Sequence, residues 1–183
     1  MARIIMAITL FCLVPGLQAE VVSTRYMAGI LSFHQEDYSD ISTYAFGGAL
    51  GTGRSFPHRT WAGWRAEAGY RQHSSLKATE GNWIHSLHGS IGLEAAFQLP
   101  RIHHTLRSHI AAGNVLHLIP DPLDTEDTRL NDEWYLDRFL EIGLELSLRV
   151  DESLRFSSVF IAPRLWIFVQ GGYALPVLVG LRR

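Results

Sequence analysis

Two stretches of this 183-residue chain carry residue types at spacings that could do chemistry. His88-Gly89-Ser90 sets a base two residues from a hydroxyl, so on an extended strand both side chains point to one face, and Glu94 follows on that face. A histidine bonded to a serine can generate an attacking alkoxide, with a carboxylate to orient the ring, which makes His88, Ser90 and Glu94 the candidate catalytic residues. The second stretch is acidic. Asp121, Asp124, Glu126 and Asp127 crowd one segment that continues to Asp132 and Glu133, with Arg129 as its one opposing charge. Closely spaced carboxylates can hold calcium or bridge to divalent ions, but the EF-hand order is absent: Pro122 interrupts and no glycine turns the chain. A solvated loop is the simpler account.

Nine histidines are many for this length, yet they do not form a metal site by spacing. His85 and His88 lie three apart and face opposite sides of a strand. His109 and His117 share a face but are too distant to grip one ion alone, and no cysteine or HExxH pattern accompanies them. Neither a metal nor a cofactor is expected.

The elements that position these residues alternate by two rather than by three and four. Ala62, Trp64, Ala66, Ala68 and Tyr70 fall on one face of a strand whose other face takes Trp61, Gly63, Arg65, Glu67, Gly69 and Arg71. Leu136, Leu140, Ile142, Leu144, Leu146 and Leu148 likewise oppose Asp137, Phe139, Glu141, Gly143, Glu145 and Arg149. Turn signals divide the chain into about eight such runs, at 24–34, 43–53, 60–72, 83–98, 104–118, 134–150, 154–167 and 172–182. Short connections, including 151–153, alternate with longer polar ones, the longest being 119–133. An even number of two-faced strands with short turns at one end and loops at the other predicts an all-β fold: an eight-stranded antiparallel up-and-down transmembrane β-barrel.

A soluble barrel also alternates, but three features favour the membrane. The polar face carries Gly, Ala and Ser between charges of both signs, as a narrow interior requires. Those charges are Arg25, Arg65, Glu67, Arg71, Glu94, Arg107, Glu141, Glu145, Arg149 and Arg182. Aromatic residues gather toward strand ends, where interfacial girdles sit: Tyr26, Phe33, Tyr44, Trp61, Tyr70, Trp83, Phe97, Trp134 and Trp166. The strands are also long enough to cross a bilayer at a tilt. In the lumen, Arg65, Glu67, Arg71, Glu94, Arg107, Glu141, Glu145 and Arg149 are expected to pair as a plug, because an unpartnered charge there is very costly. A gate with exchangeable pairs is the competing reading.

Composition agrees. Hydrophobic residues make up 47% and charged ones only 19%, and the net charge of −2 argues against nucleic acid as a partner. Residues 1–19 read as a cleaved signal peptide: Arg3, the apolar run 4–14, then Pro15-Gly16 and Ala19 before Glu20. Cys12, the single cysteine, lies in that apolar run, so residues 20–183 form one barrel domain without disulfides. Pro163 and Pro176 are expected at bulges or strand ends, and a helical span over 165–181 is the alternative for the last segment.

The stretch from Gly171 to Arg183, with Gly180-Leu181-Arg182 near its end, resembles the closing strand of outer-membrane barrels, although the terminal aromatic is missing. As a whole the mature chain resembles the small eight-stranded outer-membrane family typified by OmpA and OmpX. That resemblance implies the outer membrane of a Gram-negative cell, insertion by the barrel-assembly machinery, contact with lipopolysaccharide, and a structural or surface-interaction role through extracellular loops. The His-x-Ser pair is also similar to that of the lipid A 3-O-deacylases, themselves eight-stranded barrels, but Ile91 stands where that family has Asn. A lipid A acyl hydrolase and a narrow small-solute channel are therefore the alternatives to a non-enzymatic barrel.

Overall fold

The computed structural model describes residues 23–35, 44–57, 59–74, 83–99, 104–119, 134–150 and 158–183. Eight strands follow one another: β1 (Ser23–Gln35), β2 (Tyr44–Phe56), β3 (Arg59–Ser74), β4 (Trp83–Leu99), β5 (His104–Leu118), β6 (Trp134–Arg149), β7 (Ser158–Phe168) and β8 (Tyr173–Arg182). Each pairs antiparallel with its neighbours in sequence, and β8 closes on β1 through a register that runs from Tyr26↔Arg182 to Gln35↔Tyr173. Closure leaves no free sheet edge, so every strand finds backbone partners on both sides. The expected signal peptide and the acidic residues Asp121, Asp124, Glu126 and Asp127 lie outside the described residues, as do 154–157 of the seventh predicted run.

Polarity is inverted relative to a water-soluble barrel. Leu50, Ile91, Leu93, Leu144 and Val179 on the outer wall are more than half exposed. Arg65, Arg71, Glu141 and Glu145 are at most 1% exposed inside. The inward row of β2 consists of Ala45, Gly47, Ala49, Gly51 and Gly53, and its smallness is a packing requirement. A Cβ on Gly51 would stand 2.0 Å from the Tyr26 ring, and one on Gly69 would stand 2.2 Å from His88. At Gly143 it would stand 2.2 Å from His109. These large side chains of the lumen fit because each has a glycine as its direct partner on the neighbouring strand, Tyr26 beside Gly51, His88 beside Gly69 and His109 beside Gly143.

Both prolines sit inside strands, contrary to expectation. Pairing of β6 with β7 lapses where Leu144 and Glu145 face Ala162 and Pro163, yet Gly143↔Arg164 and Leu146↔Ile161 keep one register. Pairing of β7 with β8 lapses beside Pro176 in the same way, between Pro163↔Val177 and Trp166↔Ala174. Proline removes an N–H but its φ suits an extended chain, so the ladder loses a bond without slipping. Among the described residues the one irregular register lies instead between Ser55 and Phe56, at the end of β2. The helical alternative over 165–181 is likewise overturned: β7 and β8 meet there in a tight turn that Gly171 (φ 108°) and Gly172 (φ 77°) make possible. The connections β2–β3, β4–β5 and β6–β7 stand at one end with Ser23 and Arg183, and the other four at the opposite end.

The face assignment of β6 has a direct consequence. Leu144 faces outward at mid-strand, and Leu144→Arg is expected to destabilise the folded protein by about 2–4 kcal/mol in a bilayer. Reversible denaturant unfolding from vesicles measures this, with Leu148→Arg near the strand end as the milder comparison.

Candidate functional site: the charged lumen

Strand alternation delivers the polar side chains to the lumen at three levels. Nearest the short turns, Arg182 donates to Glu145 at 2.5 Å and to the Thr24 hydroxyl at 3.1 Å. Ser147 donates to the other oxygen of Glu145 at 2.7 Å. Arg107 lies 3.7 Å from both Glu94 and Glu145.

The middle level is built on Glu67. Its Oε2 accepts from the Tyr26 hydroxyl and from Arg65 at 2.9 Å, while Oε1 accepts from Arg164 at 2.6 Å. His88 Nε2 approaches Oε1 at 3.3 Å, and Arg65 also reaches the Tyr26 hydroxyl at 2.5 Å. Arg164 spans the lumen, with Glu141 Oε1 3.4 Å from the same nitrogen. Glu141 in turn takes His109 at 2.6 Å and the Trp166 indole N–H at 2.7 Å. Glu67 belongs to β3, Glu141 to β6 and Arg164 to β7, so one guanidinium ties opposite walls together.

Above this level Trp166 forms a septum. Phe139 stacks on it at 4.1 Å and 13°, and the Arg71 guanidinium lies 4.1 Å from its ring centroid. Closer to the loops, Ser86 Oγ is shared between His73 (2.7 Å) and His117 (2.8 Å). His34 stacks on His73 at 4.9 Å and Tyr135 on His117 at 4.4 Å. Histidine rings here act as flat fillers that carry hydrogen bonds. Among the described residues no group of three or more His, Cys, Asp or Glu could hold a metal ion.

Of the charges expected inside, Arg65, Glu67, Arg71, Glu94, Arg107, Glu141, Glu145 and Arg182 line the lumen. Arg25 and Arg149 do not: both are exposed on the outer wall near the short turns. Arg149 is an odd-numbered member of β6, but it ends the strand where Leu148 and Arg149 are exposed in succession and the alternation stops. Arg25 sits between Thr24 and Tyr26, which point inward because Tyr26 must fill the space beside Gly51. Tyr26 and Trp166 were expected in the interfacial girdles and are instead buried at 4% and 0% exposure. Arg164 and Asp137 were missing from the expected network. Arg164 directly precedes the 165–181 run offered as the helical alternative, whereas Phe160, Ala162 and Trp166 share its parity and its inward face.

His88, Ser90 and Glu94 all face inward but are not joined as a relay. His88 is bonded to Glu67 through Nε2, its Nδ1 meets no hydrogen-bond partner, and the ring packs edge-on to Trp166 at 5.0 Å. Glu94 belongs to the turn-end level with Arg107.

No protein-family model matches the chain, and no curated protein matches it in sequence. Solved structures do match in fold. The attachment invasion locus protein Ail of Yersinia pestis aligns with a TM-score of 0.57 at 11% identity, over 90% of this chain and 100% of that one. Ail in complex with the heparin analogue sucrose octasulfate gives 0.60 at 12%, with the same shares of both chains. Neisserial surface protein A gives 0.56 at 7%, over 90% of this chain and 98% of that one. The fold is that of the small eight-stranded outer-membrane β-barrels.

The geometry ranks the lumen carboxylates. Glu67 is fully buried with four partners, so Glu67→Ala strands two guanidinium groups and is expected to destabilise by about 3–5 kcal/mol. Glu94, whose nearest cation is 3.7 Å away and whose side chain is 11% exposed, should lose about 1 kcal/mol or less on the same change. Paired unfolding curves from vesicles measure both.

Proposed function

We propose that this protein resides in the outer membrane of a Gram-negative cell as a closed, non-conducting barrel and acts by surface contact through the loops at its long-loop end. One observation carries the proposal: a closed sheet with charge inside and an aliphatic wall outside. Leu140, Ile142, Leu144 and Leu146 on β6 and Ile161, Ile167, Leu175 and Val179 on β7–β8 form an outer band with no protein cover. Such a surface is stable only against hydrocarbon. No helix among the described residues is long and apolar enough to cross a membrane.

The lumen supports a plug rather than a channel. The Arg164 bridge and the Trp166–Phe139–Arg71 stack occupy its centre, and opening a path means separating buried ion pairs. His88 is engaged by Glu67, which turns this His-x-Ser pair toward structure rather than acyl hydrolysis. Function is then left to the loops, among them the acidic segment with Asp121, Asp124, Glu126 and Asp127. A loop of this charge outside the cell would meet lipopolysaccharide phosphate, where divalent ions bridge like charges. That one structural neighbour, Ail, was solved with a heparin analogue supports surface-ligand binding as a role for this fold.

The protein is expected to fractionate with outer membranes, to migrate differently on SDS gels before and after boiling, and to give no steady conductance in planar bilayers. Deleting 123–131 should leave the boiling-sensitive form intact and remove surface binding, since loop length has only a weak entropic effect on stability. Recovery in the soluble periplasm would contradict the location, and stable unit conductance would contradict the plug.

A further inference from the structure

The outer wall is not uniform. On β5 to β8 it is dominated by leucine, isoleucine and valine, but across β1 to β3 the outward positions include Gly29, Gly48, Thr52, Ala66 and Ala68. The inward glycines are demanded by the lumen; the outward ones are not. A Cβ on Gly29 would meet nothing closer than 3.9 Å, one on Gly89 nothing closer than 3.8 Å, and one on Gly48, in the groove itself, only the Ala28 carbonyl oxygen at 3.4 Å. The small residues leave two clefts of about 480 Å³ each, which share Leu50 and Ala68 and so continue one another along the strands. From Thr52 to Gly48 the groove covers about 13 Å of strand, which at the usual tilt is about 10 Å of depth and most of one hydrocarbon leaflet.

Cations crowd its short-turn end. Arg25 lines the first cleft. Arg183 is its direct cross-strand partner, with both backbone bonds formed (2.9 and 2.8 Å), which places the two side chains about 5.5 Å apart at their Cα atoms. Arg54, level with Ser23, lies diagonally beyond on β2. All three are exposed, and among the described residues no carboxylate pairs with them. Like charges set directly opposite one another destabilise a sheet unless an anion lies between them.

We propose that this groove is a binding site for one anionic glycerophospholipid, with its phosphate held by Arg25, Arg54 and Arg183 and an acyl chain laid over Thr52, Ala66, Ala68 and Gly48. The proposal rests on the outer-membrane reading above, which puts the short turns, and therefore this headgroup site, at the periplasmic leaflet. Charge selects the headgroup there, and the small residues beside Leu50 leave room for a chain between the larger side chains of the wall.

The test uses folded protein in mild detergent, offered equal phosphatidylglycerol and phosphatidylcholine, with retained lipid counted by native mass spectrometry. One phosphatidylglycerol per barrel should remain bound. Its preference over phosphatidylcholine should fall about fivefold for each arginine replaced in Arg25→Gln, Arg54→Gln and Arg183→Gln. Ala68→Leu, which fills the groove and leaves the arginines in place, should also release the lipid. Folding of each variant is read independently from boiling-sensitive migration. Equal retention of the two lipids by the unaltered protein, or unchanged retention in Ala68→Leu, would overturn the proposal while leaving the membrane barrel standing. A dimer cross-linked through Ala66 in place of lipid would also overturn it. Failure of the unaltered chain to insert into vesicles at all would sink both readings.

Discussion

The bond on which the rest of the structure depends is the one from Arg164 to Glu67 across the lumen, 2.6 Å long and shielded from water. A closed barrel of eight strands leaves an interior that side chains must fill, and a filled interior of low dielectric tolerates charge only in matched pairs. Arg65, Arg71, Arg107, Arg164 and Arg182 are balanced in the lumen by Glu67, Glu94, Asp137, Glu141 and Glu145. Each long side chain then needs space opposite, and the inward glycines of β2, β3, β5 and β6 provide it. Trp166 belongs to the same constraint, because its indole N–H supplies Glu141 with a donor while its face receives Arg71.

This neutrality also limits where activity can reside. A lumen whose charges are paired across it favours the proposed reading, in which contact is made at the two ends and the lipid-facing wall. The wall is itself asymmetric: aliphatic on β5 to β8, and on β1 to β3 broken by small outward residues with an arginine cluster at one end. On that reading, scaffold and contact surface fall to different faces of the same strands, as alternation by two allows.

Much of this architecture was legible in the sequence because a strand spells out its faces. The split of β3 into Trp64, Ala66 and Ala68 outside against Arg65, Glu67 and Arg71 inside matches the structure, as does that of β6 up to Leu148. Legibility failed where both faces are apolar or where charge lies outside. In β7 and β8 the lumen side is itself aromatic and aliphatic (Phe160, Trp166, Leu178), so Arg164 looked like a boundary instead of the central cation. In β1, Arg25 looked like a lumen charge because its neighbour Tyr26 looked like a girdle residue. The parity of β1 is set by its pairing with β2, where Tyr26 meets Gly51, and that pairing is a long-range fact. Which carboxylate meets which guanidinium depends on strand register around the whole barrel and cannot be read from any one run.

The central claim is that Arg164 and Glu67 stabilise the barrel as a pair rather than separately. A double-mutant cycle in vesicles measures this directly, using reversible unfolding of the unaltered protein, Arg164→Met, Glu67→Gln and the double variant. A coupling of about 1–3 kcal/mol, with the double variant more stable than the two single losses sum to, is the predicted result. Additive losses would show that the two groups act independently and that the lumen is not held together by this bridge.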